Sequence, residues 1–167
     1  MKKYKKKNWQ VAIDSPAAAG AGTQAKLISK HYNLLYLDSG KIYRFLAYLK
    51  IKNLKKFNYS FISKKIKTLK MSDLQNKKLL SENVGSVASI IAKDIKIRNL
   101  AHDFQMKCAF DPPKKYEGSI IDGRDITYNI MPQADCKFFI TASVKTRALR
   151  RFKELKGLNK KIFTNSN

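Results

Sequence analysis

A chain of 167 residues with 44% hydrophobic content is long enough to bury the core of one globular domain. Its 35 basic against 12 acidic residues give a formal net charge of +23, but the lysines are spread widely and do not alternate with aromatic residues as a base-stacking platform requires, which leaves at most non-specific nucleic-acid binding. No apolar run reaches the roughly 18 residues of a membrane-spanning helix, and the basic tract Met1 to Lys7 precedes too short an apolar stretch for a secretion signal, so a cytoplasmic protein is expected.

The first element is a short strand, Trp9, Val11, Ala12 and Ile13, stopped by Asp14, Ser15 and Pro16. Then Ser15, Pro16, Ala17, Ala18, Ala19, Gly20, Ala21, Gly22 and Thr23 have the outline of a phosphate-binding loop, and Ala25, Leu27 and Ile28 support a helix starting near Gly20. Free N–H groups and the positive end of such a helix would face an anion. The general pattern needs a lysine where Ala21 stands. By analogy with an oxyanion-hole donor, losing that preorganised charge costs roughly 3–4 kcal/mol, on the order of 10²–10³ in rate. Lys26 lies about a turn and a half along the helix, too far to replace it.

A second strand, Leu34 to Leu37, runs into Asp38-Ser39-Gly40-Lys41-Ile42-Tyr43-Arg44, which sets a hydroxyl, a phenol and a guanidinium close together. Residues 50–112 read as mainly helical, with Leu54, Phe57, Phe61, Ile62, Ile66 and Leu69 at helical spacing and the lysines from Lys50 to Lys78 on the solvent side. Asp111-Pro112-Pro113 ends this segment. A third strand leads to Ile121-Asp122-Gly123-Arg124-Asp125-Ile126, and a fourth, Lys137 to Ser143, leads to a basic helix with Arg147, Arg150 and Arg151. Only six of the basic residues are arginine, yet Arg44, Arg98 and Arg124 stand where planar recognition of phosphate or base favours arginine over lysine. Cys108 and Cys136 are isolated and expected to be reduced, no residue is assigned as a metal ligand, and His31 and His102 receive no catalytic role because no acid or nucleophile motif accompanies them.

In this order and spacing, the loop, DSGxxYR, DGRDI and the basic helix resemble bacterial cytidylate kinase, of the P-loop nucleoside monophosphate kinase group, over about residues 9–156. The resemblance implies an α/β fold: a P-loop doubly wound parallel sheet with helices on both faces and a helical NMP-binding insertion. Residues 1–49 and 113–167 would form the core and lid region, and 50–112 the insertion. It implies transfer of the ATP γ-phosphoryl group to CMP or dCMP with Mg²⁺, by a monomer. Ser15 to Thr23 would cradle ATP. Ser39, Tyr43 and Arg44 would meet CMP, and Ser89 and Arg98, on one helix, would recognise cytosine. Asp122, Arg124 and Asp125 would line the cleft, and Arg147 and Arg151 would close over ATP; Arg124, Asp125, Arg147 and Arg151 are the catalytic candidates. Ser15, Ala19 and Ala21 depart from the family's GPxxSGKGT, with a strained or reshaped loop expected at Ser15. Thr127-Tyr128 replaces Gly-Thr, with Tyr128 narrowing the cleft. After Leu155 the sequence turns polar and uncapped, which implies a missing last strand and an open sheet edge. Two other readings stand beside this one: a truncated, catalytically impaired nucleotide-binding homologue, and a basic nucleic-acid-binding protein on a kinase-like scaffold.

Overall fold

A computed structural model describes residues 8–164, with side chains described to residue 157, so the tract Met1 to Lys7 lies outside the described residues. Four parallel strands, β1 (Trp9–Asp14), β2 (Leu34–Asp38), β3 (Gly118–Gly123) and β4 (Cys136–Phe139), form one sheet in the order β2-β3-β1-β4. The alternation of β1 sends Val11 and Ile13 to one face and Ala12 to the other. On the first face, Ala21 and Ala25 of α1 (Ala21–Tyr32) close over Val11, Ile13, Leu34 and Ile120. On the second, Ala12, Leu35, Leu37 and Ile121 meet Ile42 of α2 (Gly40–Lys52) and Ala101, Cys108 and Ala109 of α5 (Ile95–Phe110). Helices therefore cover both faces, as a parallel sheet buried on each side requires. Each fully buried leucine or isoleucine adds about 1.5–3 kcal/mol to this core.

A helical layer lies beyond α2. α3 (Tyr59–Lys67), α4 (Glu82–Ile91) and α5 bury Ile62, Ile66, Val84, Ala88, Ile91 and Ile97 against Leu46 and Ala47. Local capping fixes the helix starts. The Asn58 side chain accepts the Phe61 N–H at 2.9 Å, and Asp94 accepts those of Lys96 and Ile97 at 2.8 and 3.2 Å. The Asn58 cap also corrects the reading of 54–69 as one helical series: Leu54–Lys56 is a separate 3-10 turn and Leu54 is exposed. α5 ends at Phe110, before the two prolines.

The register carries the strand ends to one place. Asp38 pairs with Asp122, Ile13 with Asp122 and Asp14 with Gly123, so the segments that follow β1, β2 and β3 emerge side by side at the C-terminal edge of the sheet. β4 is an edge strand among the described residues, with Phe138 and Phe139 exposed. α6 (Val144–Thr164) starts where the Ser143 Oγ accepts the Thr146 N–H at 3.2 Å. The helix runs on through the polar stretch after Leu155 to Thr164. Among the described residues no helix is long and apolar enough to cross a membrane.

Candidate active site

The segment after β1 is tied down at both ends. The Ser15 N–H donates to the Gly123 carbonyl at 2.9 Å and the Ala19 N–H to that of Pro16 at 3.3 Å. The loop then turns through two left-handed residues, Ala18 at φ 60° and Gly20 at φ 102°. Gly20 is thus used for its backbone freedom, while the cost falls on Ala18, which carries a Cβ in the same region. This corrects the expectation for Ser15, whose backbone demands no glycine. α1 has no side-chain cap, and its first N–H groups, those of Ala21 and Gly22, find no acceptor among the described residues. The Ala21 methyl is buried in the core beneath α1.

Arginines from distant segments surround this loop. The Arg150 Nη1 donates to the carbonyls of Ala19 at 2.7 Å and Ala18 at 3.4 Å. The Arg147 Nη1 reaches Ala17 O at 3.5 Å, while its buried Nε has no partner. Arg151 pairs with Glu154 at 2.8 Å. Arg44 donates to Leu79 O at 2.8 Å and Ser81 O at 3.4 Å. Burial, followed by the charge of Arg151, lowers the pKa of Arg44 from its ordinary value. Arg44 thus feels the charge of Arg151 from another segment, with Asp38 and Glu154 opposing it, and guanidinium groups gathered so suit an anion. Arg124 is exposed and pairs with no described residue.

Beneath the loop, Asp38 and Asp122 sit on paired strand positions with the Tyr36 phenol between them and α1. Burial, reinforced by the charge of Asp38, pushes the Asp122 carboxyl up to about 7, and burial also raises Asp38 and the Tyr36 phenol. The Asp122 Oδ1 is buried with no partner. Asp14 has a supporting task. Its carboxylate accepts the N–H of Ile126 at 2.7 Å, the N–H of Thr127 at 3.0 Å and the Thr127 hydroxyl, fixing a π-helical turn over Ile126–Ile130.

That turn and α5 enclose a cavity of about 380 Å³ lined by Tyr43, Arg98, Asn99, His102, Gln105 and Asp125, among others. Arg98 donates to the Asp125 carboxylate across it. Burial raises the Tyr43 phenol, opposed by the nearby Arg98. Of the residues read from the sequence, Tyr43, Arg98 and Asp125 come together here. Ser89 and Arg98 do not share a helix, which corrects that expectation: Asp94 caps a new one between them, and Ser89 is exposed on α4 with its hydroxyl on Ser86 O at 2.7 Å. Ser39 is buried beside Gly123, where its N–H donates to Asp122 O at 3.0 Å. Tyr128 does not narrow the cavity; it is 71% exposed, and Thr127 turns inward to Asp14 instead.

Arg150, Asp38 and His102 gained no role from the sequence. Asp38 was within reach, since an acid at the last position of a buried parallel strand falls at the ligand edge of the sheet. Nothing local distinguishes Arg150 from its two neighbours, and His102 carries no motif.

A family model described as cytidylate kinase matches residues 11–165. The chain is 40% identical over 163 residues to a cytidylate kinase of Clostridium tetani, covering 91% of this chain and 70% of that protein. It is 40% identical over 154 residues to one of Bartonella tribocorum, covering 89% and 68%. To one of a Bradyrhizobium strain it is 39% identical over 142 residues, covering 84% and 65%.

Proposed function

The chain belongs to the cytidylate kinase family, and we propose on that premise that it transfers the γ-phosphoryl group of ATP to CMP or dCMP. The observation that carries this reading is the meeting, at one sheet edge, of a loop with unpaired N–H groups, Arg44 with the charge of Arg151 acting on it, and the cavity crossed by Arg98 and Asp125. The loop Ser15 to Thr23 takes the donor phosphates, with Arg147 and Arg151 above them. Arg44, backed by Arg124, takes the acceptor phosphate through its planar fork. Ser39 and Tyr43 position CMP, and its nucleoside enters the cavity, where Arg98 and Asp125 offer a donor and an acceptor to cytosine or the sugar. The insertion over 50–112 supplies this acceptor end.

In the transfer, an oxygen of the CMP phosphate attacks the γ-phosphorus. The bond to the β–γ bridging oxygen breaks, its electron pair leaves with ADP, and the new P–O bond gives CDP. The protein positions the reactants and neutralises spread negative charge, which is most of what this reaction asks of it. Mg²⁺ fits the Asp38–Asp122 pair: two carboxylates at neighbouring strand ends, one bearing a buried oxygen without a partner, offer oxygen ligands to a cation. Among the described residues no cluster of three metal-binding side chains exists, which suits an ion that keeps water and phosphate ligands and lends Lewis acidity when bound. As a monomer the protein would act on free nucleotides, in the cytoplasm. No observation favours the impaired-homologue or nucleic-acid-binding readings.

The test is a coupled ADP-release assay with ATP, Mg²⁺ and CMP, run beside Ala21→Lys. CMP-dependent turnover is expected in the wild type. Calorimetric CMP binding with no turnover in either protein would reject phosphoryl transfer and leave a nucleotide binder.

A further inference from the structure

We infer that Arg150 supplies the loop cation that Ala21 does not, holding the donor's outer phosphates from α6 rather than from α1. The inference rests on the phosphotransferase reading and names a residue for its donor side. Three observations place the charge. The Arg150 Nη1 lies 2.7 Å from Ala19 O and 3.4 Å from Ala18 O. The same nitrogen would be 3.3 Å from a Cβ built on Gly20, so the guanidinium rests against the last loop residue before α1. There the N–H groups of Ala21 and Gly22 have no protein acceptor. A phosphate oxygen taking those N–H groups would meet the guanidinium beside them.

Other cations serve this point less well. Ala21 is 3% exposed and packed with Val11 and Ile13, so its side chain faces the core. Lys26 is exposed further along α1, and its charge is the weakest of the influences on Asp122. Arg147 touches only Ala17, and at 3.5 Å. A guanidinium has five N–H donors in a rigid fork, so bonds to two carbonyls leave three for a phosphate, where the three donors of a lysine would leave one. The close approach to Gly20 also gives that position a second requirement, since a side chain there would push Arg150 away.

The experiment compares wild type, Arg150→Ala and Arg150→Lys for ATP, AMP and CMP binding by calorimetry, with steady-state turnover alongside. Arg150→Ala should weaken ATP by on the order of 10²-fold, leave CMP unchanged and barely affect AMP, which lacks the outer phosphates. Arg150→Lys, which keeps a cation there with fewer donors, should recover part of the ATP affinity. Equal losses for ATP and AMP would show that Arg150 only shapes the loop, and would overturn the inference. So would wild-type ATP affinity in Arg150→Ala, or no recovery in Arg150→Lys at unchanged Tm. Undiminished CMP-dependent turnover in Arg150→Ala rejects this role and leaves the kinase reading standing. An ATP-specific loss in a protein without turnover does the reverse.

Discussion

The two ends of the cleft are built from different materials. The loop end offers mostly backbone: unpaired N–H groups, two left-handed residues and carbonyls held by arginines from α6. The cavity end offers side chains, with Arg98 and Asp125 paired across the space and Arg44 held on two carbonyls. A site made of backbone tolerates changes of side chain as long as its dihedral angles survive. That accounts for Ser15, Ala19 and Ala21 in a loop that still closes. A site made of side chains has no such reserve, so single substitutions at the cavity end should cost more than most at the loop.

The largest expected effect is that of Arg44→Ala. It removes the fork proposed for the acceptor phosphate, and kcat/KM for CMP should fall by roughly 10²–10³ while ATP affinity holds; an unchanged value would dissolve the distinction between the ends. Asp125→Asn comes next. It leaves Arg98 without its charged partner at the cavity, and losing a charged hydrogen bond of about 1.5–3 kcal/mol predicts roughly a 10- to 100-fold rise in the Kd for CMP, read by calorimetry.

Gly85→Ala tests the same end from behind. A Cβ there would lie 3.1 Å from the Arg44 Nη2, so the fork must shift. Gly85 is within α4, where alanine favours the helix by roughly 0.5–1 kcal/mol. Tm should therefore rise while CMP affinity drops by about fivefold, near 1 kcal/mol. Opposite signs in the two measurements would separate positioning from stability, and a parallel loss in both would mean plain overpacking.

These contrasts explain what the sequence could convey. The strand ends were legible because in a parallel sheet the last residues of buried strands fall at one edge, and apolar runs ending in Asp14, Asp38 and Asp122 mark them. Arg44, Arg98 and Asp125 stood out as charged residues at motif positions. The helix boundary between Ser89 and Arg98 was available in principle, since Asp94 is a strong N-cap residue. The same holds for Asn58, which breaks the apolar period from Leu54. The choice among Arg147, Arg150 and Arg151 was not available, because it depends on how α6 lies over a loop more than a hundred residues earlier. The inward turn of Thr127 likewise depends on Asp14, a partner 113 positions away.

Between the two ends lies the Asp38–Asp122 pair, whose effect is read in stability rather than in binding. With Asp122 raised from 3.8 to about 7, the folded state holds its proton more tightly than the unfolded chain. The stability this gives is fully present below about pH 4 and is lost as pH rises through about 7. Asp38, raised in the same direction, adds to the loss. Tm measured in chelator should therefore fall in the wild type between pH 5 and pH 8. In Asp122→Asn the fall should be shallower, since the amide cannot ionise and the charge opposing Asp38 is gone. At this chain length each kcal/mol moves Tm by roughly 2–4 °C, so the difference between the two curves is measurable. Superimposable curves would mean that water or a cation already satisfies the buried oxygen of Asp122, and that the strand ends are as tolerant as the loop above them.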